Sequence, residues 1–94
     1  MMSQLPIKLE SVSNELIDKQ ILRAGIIAEL DAVNFYEQMA SYTIDEEIKK
    51  VLFDIAKEEK THIGEFQALL LKRDEEQVIE MEKGKKEVED LISS

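Results

Sequence analysis

Two side chains that commonly bind metal ions stand three residues apart in the second half of the chain. They are Glu59 and His62, and Glu29 lies 30 residues before Glu59. Carboxylate oxygens and an imidazole nitrogen suit first-row divalent metals such as Fe(II). Because 21 of the 94 residues are acidic, an acid stands three residues before the single histidine by chance in about one such chain in five. Taken alone, Glu59-x-x-His62 therefore favours a buried Glu–His hydrogen bond over a metal site.

The periodicity of the surrounding sequence gives these residues a shared position. Steps of four and three residues, the spacing of one packed face of a helix, connect Ile48, Leu52, Ile55, Glu59, His62, Phe66 and Leu69. The same stepping earlier in the chain connects Leu22, Ile26, Glu29, Val33, Tyr36 and Ala40. A carboxylate or an imidazole in a buried stripe must be hydrogen-bonded, paired or bound to a metal. If the two helices pack antiparallel, Glu29, Glu59 and His62 converge.

The composition predicts that helices position these residues. Apolar residues make up 44% of the chain and charged residues 35%, with 3 Gly, 1 Pro and no Cys. This mixture favours helix, and the absence of cysteine excludes disulfides, thiol catalysis and iron–sulfur clusters. The net charge of −9 disfavours nucleic acid as a partner and favours cations. No apolar run approaches the ~20 residues that span a bilayer, so we expect a soluble, intracellular protein without a membrane partner.

Local signals divide the chain into three segments. They are an irregular N-terminal segment (1–13), a helical hairpin (14–73) and a C-terminal helix or tail (74–94). Ser13 or Asn14 is the predicted N-cap of the first helix. Residues 43–46, Thr-Ile-Asp-Glu, have the form of a capping box and predict that the second helix starts there.

The third segment has fewer apolar positions than the hairpin. Asp74 is its predicted N-cap, and Gly84 is expected to interrupt the helix that follows. This weaker segment is expected to pack at an oligomer surface or to fray.

The number of candidate ligands points to a site shared between two chains. In helical bundles that bind two carboxylate-bridged metals, two helices supply one Glu each and the other two supply a Glu-x-x-His each. This chain contains half of that set on half of that bundle. A two-fold related pair of chains would complete both the four-helix core, which a 94-residue chain has difficulty forming alone, and the set of six ligands.

The hairpin sequence closely resembles a known family. Residues 26–71 include IIAELDAVNFYEQMA and EEKTHIGEFQALLL, and they resemble the encapsulated ferritins, which are rubrerythrin-like half-ferritins associated with encapsulin nanocompartments. The shared motifs are Glu29 with Tyr36 seven residues later, and Glu59 with His62 in EEKTH. The resemblance implies an all-α fold, in which an antiparallel two-helix hairpin plus a short C-terminal helix forms a ferritin-like four-helix bundle by dimerisation.

The resemblance also implies an activity. Such proteins are ferroxidases that oxidise Fe(II) to Fe(III) with dioxygen and feed iron storage in an encapsulin compartment in the cytoplasm. It implies Glu29, Glu59 and His62 as iron ligands and places Tyr36 beside the iron site. One iron per chain, two per dimer, is expected, in a homodimer that assembles further into a ring such as a decamer. The chain ends Glu-Asp-Leu-Ile-Ser-Ser, which does not resemble the Gly- and Leu-rich docking peptide of free cargo forms. In some relatives the same domain is fused to the encapsulin shell protein, and the resemblance alone does not choose between a free cargo and a fused domain.

Two other functions fit the same residues. A rubrerythrin-like peroxidase would use the diiron site to reduce peroxide, with a separate reductase because the chain has no cysteine for an iron-binding electron-transfer module. A non-catalytic helical assembly protein would use Glu29, Glu59 and His62 as a buried polar network that fixes the packing register.

Overall fold

Three α-helices account for nearly all of the chain that the structure describes. In this computed structural model the described residues are 13–94. The helices are α1 (Asn14–Tyr42), α2 (Glu46–Leu71) and α3 (Glu75–Ser93), and the predicted all-α class is confirmed. Most of the predicted irregular segment, residues 1–12, lies outside the described residues.

The start of α1 follows the sequence-based prediction. Ser13 is the N-cap, and its hydroxyl oxygen accepts a hydrogen bond from the backbone N–H of Leu16 at 3.3 Å. This bond satisfies one of the four N–H groups that a helix leaves unpaired at its beginning.

The predicted capping box at the start of α2 is wrong. The N-cap is Asp45, whose Oδ1 accepts from the backbone N–H groups of Glu47 at 2.9 Å and Ile48 at 3.0 Å. Thr43 instead ends α1, where its N–H donates to the carbonyl oxygen of Met39 at 3.1 Å. A carboxylate at the N-cap accepts two N–H donors and also opposes the positive end of the helix dipole. The helix therefore begins one residue after Asp45, not at the threonine.

The short connection between α1 and α2 makes them an antiparallel hairpin with a narrow core. The buried apolar residues are Leu22, Val33, Ala40, Ala56 and Leu70. Ala40 and Ala56 are 0% and 1% exposed, and these small side chains let the two helices approach closely. The buried positions of α1 belong to its predicted stripe.

The predicted stripe of α2 is only half-buried within one chain. Its two ends, Ile48 and Leu69, are 52% and 46% exposed, whereas the fully buried residues of α2 are Ala56 and Leu70. A helix in a two-helix hairpin buries one narrow strip against its neighbour, and the adjacent strip stays open. The stripe that includes Glu59 and His62 therefore lies along the edge of the hairpin core.

Helix α3 extends away from the hairpin, so the described chain measures 47 × 46 × 19 Å. Asp74 is its N-cap, as predicted, and accepts from the backbone N–H of Gln77 at 3.0 Å. The expected interruption at Gly84 does not occur, because the helix is continuous from Glu75 to Ser93. Helix α3 contains no buried residue. None of the helices formed by residues 13–94 is long and apolar enough to cross a membrane.

Candidate metal centre

The hairpin brings three of the predicted site residues together halfway along its length. Glu29 lies in the middle of α1, and Glu59 and His62 lie one turn apart in the middle of α2. One potential ligand atom from each of the three lies within 4.8 Å of the other two. The antiparallel register predicted from the two stripes produces this convergence, and the group could hold a metal ion.

The geometry within the group leaves its polar atoms incompletely satisfied. The Nδ1 atom of His62 lies 3.4 Å from Oε2 of Glu29 and 3.6 Å from Oε2 of Glu59. Both distances exceed the 2.7–3.2 Å of ordinary N–H···O hydrogen bonds. Oε2 of Glu29 is buried and has no hydrogen-bond partner. A buried carboxylate oxygen without a donor is costly, and a bound cation would satisfy it.

The three side chains differ in their access to solvent. The carboxylate side chains of Glu29 and Glu59 are 20% and 19% exposed, and the His62 side chain is 44% exposed. Beside them an ion pair between Lys60 and Glu37, 3.3 Å apart, also connects α2 to α1. The candidate centre therefore lies at an open edge of the hairpin and is reachable from outside the chain.

Tyr36, the fourth predicted site residue, lies two turns along α1 from Glu29. Its half-buried ring packs against Phe35 at a centroid distance of 5.6 Å and a tilt of 57°. Asp31, Phe35 and Tyr36 line a common groove on α1. Tyr36 is thus on the same helix as Glu29 but is not one of the three residues that converge.

One ion pair that the sequence analysis missed lies at the junction with α3. Nη2 of Arg23 is 2.7 Å from Oδ2 of Asp74, which is 8% exposed. The hydrogen bond from the N–H of Gln77 is the largest influence that lowers the pKa of Asp74, and Arg23 and Lys19 lower it further, although burial opposes them. Arg23 and Asp74 are 51 residues apart, so no local pattern could have paired them.

The fold and the residue set together define a class of protein. A helical hairpin that presents one Glu on one helix and a Glu-x-x-His motif on the other corresponds to half of the metal-binding bundle of the ferritin-like proteins. A comparison with family models matches residues 4–85 to the EncFtn-like family. The chain belongs to this family, the encapsulated ferritins, and the resemblance inferred from its motifs is confirmed.

A protein sequence and a domain structure from Pyrococcus furiosus show the same relationship. The chain is 60% identical over 72 residues to a ferritin-like-encapsulin shell fusion protein, and the match covers 77% of this chain but 21% of that protein. The chain thus spans about a fifth of the curated relative that it matches. The crystal structure of an encapsulated ferritin domain aligns with a TM-score of 0.86 and 48% identity, over 100% of this chain and 98% of the other. The whole described fold is therefore that of an encapsulated ferritin domain.

Proposed function

We propose that this protein is a ferroxidase that oxidises Fe(II) to Fe(III) with dioxygen at a diiron site shared across a homodimer interface. The observation that carries the proposal is the convergence of Glu29, Glu59 and His62 within 4.8 Å on a half-open edge of the hairpin. Membership of the EncFtn-like family supports it. In this proposal Fe(II) is the substrate, and the three side chains are its ligands.

The incompleteness of the site within one chain supports the shared arrangement. Three side chains are half of the six that a carboxylate-bridged metal pair uses, and the stripe that contains two of them is only half-buried. A second copy related by a two-fold axis would cover the stripe and supply the other three ligands. The stoichiometry is then one iron per chain and two per dimer.

Two adjacent irons account for the proposed chemistry. Each Fe(II) gives up one electron, so a pair delivers two electrons to one dioxygen molecule, which takes up two protons and leaves as hydrogen peroxide. Carboxylates favour the higher charge of the ferric product, and imidazole is a common ligand of iron. Tyr36 is proposed to lie beside the iron site as a hydrogen-bond or electron donor, and it is not a metal ligand.

The same family relationship supports a place for the protein in the cell. The Pyrococcus furiosus relative is a fusion to an encapsulin shell protein, and we propose that this chain also delivers ferric iron to an encapsulin compartment in the cytoplasm. The exposed apolar residues of α3, such as Leu91 at 77% and Ile92 at 78%, support further assembly of dimers into a ring such as a decamer.

A non-catalytic assembly protein is the second candidate. It is favoured by one observation, the position of Nδ1 of His62 between the two carboxylates at 3.4 and 3.6 Å. In that role His62 would pair with Glu29 and Glu59 without a metal. The two functions differ in what added Fe(II) does to the folded protein.

The deciding measurement is the amount of iron bound per chain after anaerobic loading with Fe(II). The bound iron is counted on the peak isolated by size exclusion with light scattering. About one iron per chain in a dimer or a multiple of dimers is expected for the six-ligand site, and ferric absorbance should appear when air is admitted. The iron should also stabilise the folded state, by ~2.7 kcal/mol when its free concentration is ~100 times Kd.

A pair of neighbouring acids provides the matched variants. Glu59→Ala should abolish iron binding and dioxygen consumption, whereas Glu58→Ala, an exposed acid one residue away, should change neither. Two tightly bound irons in an isolated monomer would contradict the shared site. No retained iron would favour the assembly protein, and faster oxidation by peroxide than by dioxygen would favour the rubrerythrin-like peroxidase.

A further inference from the structure

A close contact between α1 and α2 lies one helical turn from the candidate metal centre. Gly25 precedes Glu29 by one turn of α1, and Phe66 follows His62 by one turn of α2. In an antiparallel pair these two displacements run in the same direction. Along the interface between α1 and α2, the Gly25–Phe66 contact is therefore the next contact after that between Glu29 and His62.

The contact exists because residue 25 has no side chain. A Cβ atom added at Gly25 would lie 3.1 Å from Cε1 and Cζ of Phe66 and 3.2 Å from Cδ1. These distances are shorter than the ~3.5–4.0 Å of favourable carbon–carbon contacts. One edge of the phenyl ring thus rests against the α1 backbone, and a Cβ at residue 25 would press on it.

Glycine is otherwise a poor choice at this position. It lies in the interior of a 29-residue helix with no positive φ angle, so nothing in the backbone conformation requires it. Alanine would be a better helix former. The close approach of the Phe66 ring is the feature of the structure that accounts for the glycine.

We infer that Gly25 and Phe66 are positioning residues that set the separation of α1 and α2 and thereby the distance between Glu29 and the Glu59–His62 pair. The inference rests on the proposed function, since it assigns these residues a role through the metal ligands. Neither residue offers a ligand atom to the site. Their effect is transmitted by the helix backbones over a single turn.

The magnitudes support this role. A Cβ at residue 25 would require the ring or the helix to move by a few tenths of an ångström. Metal–ligand distances in a well-formed site are held to about 0.2 Å, so a movement of this size one turn away is enough to disturb binding. In the proposed dimer the second copy covers this edge of the hairpin, which limits the outward retreat of Phe66.

The experiment measures Co(II) binding to the full chain, because bound Co(II) reports its coordination by visible absorption. Gly25→Ala should weaken Co(II) binding about tenfold, as changes to the residues that orient metal ligands commonly do, and should alter the absorption spectrum. Gly84→Ala is the matched control, since a Cβ there meets nothing within 4 Å and gains the same helix propensity. It should leave affinity and spectrum unchanged.

Relief of the contact provides the test that a merely structural role would not pass. The double variant Gly25→Ala with Phe66→Leu, which removes the ring edge, should recover most of the affinity and the wild-type spectrum. Wild-type Co(II) binding by Gly25→Ala, or a double variant no better than Gly25→Ala, would overturn the inference.

If circular dichroism shows that Gly25→Ala does not fold, Phe66→Leu alone is compared with Phe53→Leu, the same change on the same helix away from the site. Phe66→Leu should alter the Co(II) spectrum and Phe53→Leu should not, and equal behaviour would overturn the inference. Failure of the wild-type chain to bind Co(II) is a different result. It would refute the metal site of the proposed function, and the positioning role would fall with it.

Discussion

The hairpin and α3 use apolar side chains in opposite ways. In the hairpin, Val33 is 8% exposed and Leu70 is 5% exposed, because each lies between two helices. In α3, Leu91 and Ile92 are 77% and 78% exposed, and the helix has no buried residue. Burial of apolar surface is the main favourable contribution to folding. The hairpin therefore contains its own source of stability, whereas α3 presents apolar surface that the other described residues leave uncovered.

The exposure of the candidate metal centre to solvent is intermediate between that of the hairpin core and that of α3. Glu29 and Glu59 are about one-fifth exposed, and His62 is 44% exposed. The core on one side of the candidate centre holds the helices in register, and the open side leaves room for the second set of ligands that the proposed dimer would supply. A fully closed hairpin would exclude the proposed iron, and a fully open one would not fix the positions of the three side chains.

The largest expected effect is the difference in stability loss when the same substitution, Leu→Ala, is made in each of the two regions. Leu70→Ala should destabilise the protein by ~2–5 kcal/mol, because it leaves a cavity in the hairpin core. At a protein concentration too low for dimers to assemble into rings, Leu91→Ala should change the free energy of unfolding by less than ~0.5 kcal/mol, as expected for an exposed position. Urea denaturation at one fixed protein concentration measures both values, because stability in an oligomer depends on concentration.

The Leu91 variant also tests whether α3 is packed against another chain in solution. A loss as large as that of Leu70→Ala, growing with protein concentration, would show that α3 is packed against another chain under the conditions used. Equal and concentration-independent losses would contradict the division of the molecule into a packed hairpin and an uncovered α3.

The convergence of Glu29, Glu59 and His62 could be predicted from the sequence because one regular pattern determines it. The steps of three and four place Glu29 on the packed stripe of α1, and they place Glu59 and His62 one turn apart on α2. An antiparallel hairpin then brings the three together at the edge of its core, and in the structure their ligand atoms lie within 4.8 Å of one another.

Other features could not be predicted, for identifiable reasons. Residues 43–46 satisfy the capping-box pattern, but Asp45 is an equally good N-cap, and the choice depends on the path of the connection. The pairing of Arg23 with Asp74 depends on where the end of α2 lies beside α1. The contact between Gly25 and Phe66 depends on the exact helix separation, which periodicity does not specify.

The second prediction concerns the uncovered surface of α3 and is expected to change assembly and not metal binding. Ile92→Lys should shift the protein from rings to dimers in size exclusion with light scattering, because it places a charge in the apolar surface that is proposed to join dimers. Iron bound per chain should stay the same. Ser93→Lys, the same charge change at the adjacent residue, should leave the assembly intact.

Either of two results would contradict this division of roles. If Ile92→Lys abolished iron binding together with assembly, the two functions would not belong to separate regions. If both lysine variants retained the wild-type mass, the apolar end of α3 would not be an assembly surface.

The smallest expected effect concerns the junction that connects the two regions. Asp74 is the N-cap of α3 and also pairs with Arg23 of α1 at 2.7 Å. The N–H of Gln77, which donates to the Asp74 carboxylate, and then Arg23 and Lys19 lower the pKa of Asp74 below its ordinary value of 3.8. The ionised form is therefore favoured in the folded state. Its stabilising contribution is fully present above that ordinary value and is lost as the pH falls through the lowered, folded-state value.

Two substitutions at this position separate the cap from the ion pair. Asp74→Asn keeps a side-chain oxygen that can cap α3 but removes the charge, so it should weaken the anchoring of α3 and abolish the part of the acid sensitivity that comes from this group. Asp74→Ala should have the larger effect, because it also removes the cap. The measurement is the hydrogen-exchange rate of the Gln77 amide, from neutral pH to below the ordinary aspartate pKa. At neutral pH this rate should rise in the order wild type, Asp74→Asn, Asp74→Ala. In acid the rate in the wild type should approach that in the Asp74→Asn variant. Identical exchange in all three proteins would mean that the hairpin does not hold the start of α3 through Asp74, and contacts in the proposed assembly would then become the leading account of how α3 is oriented.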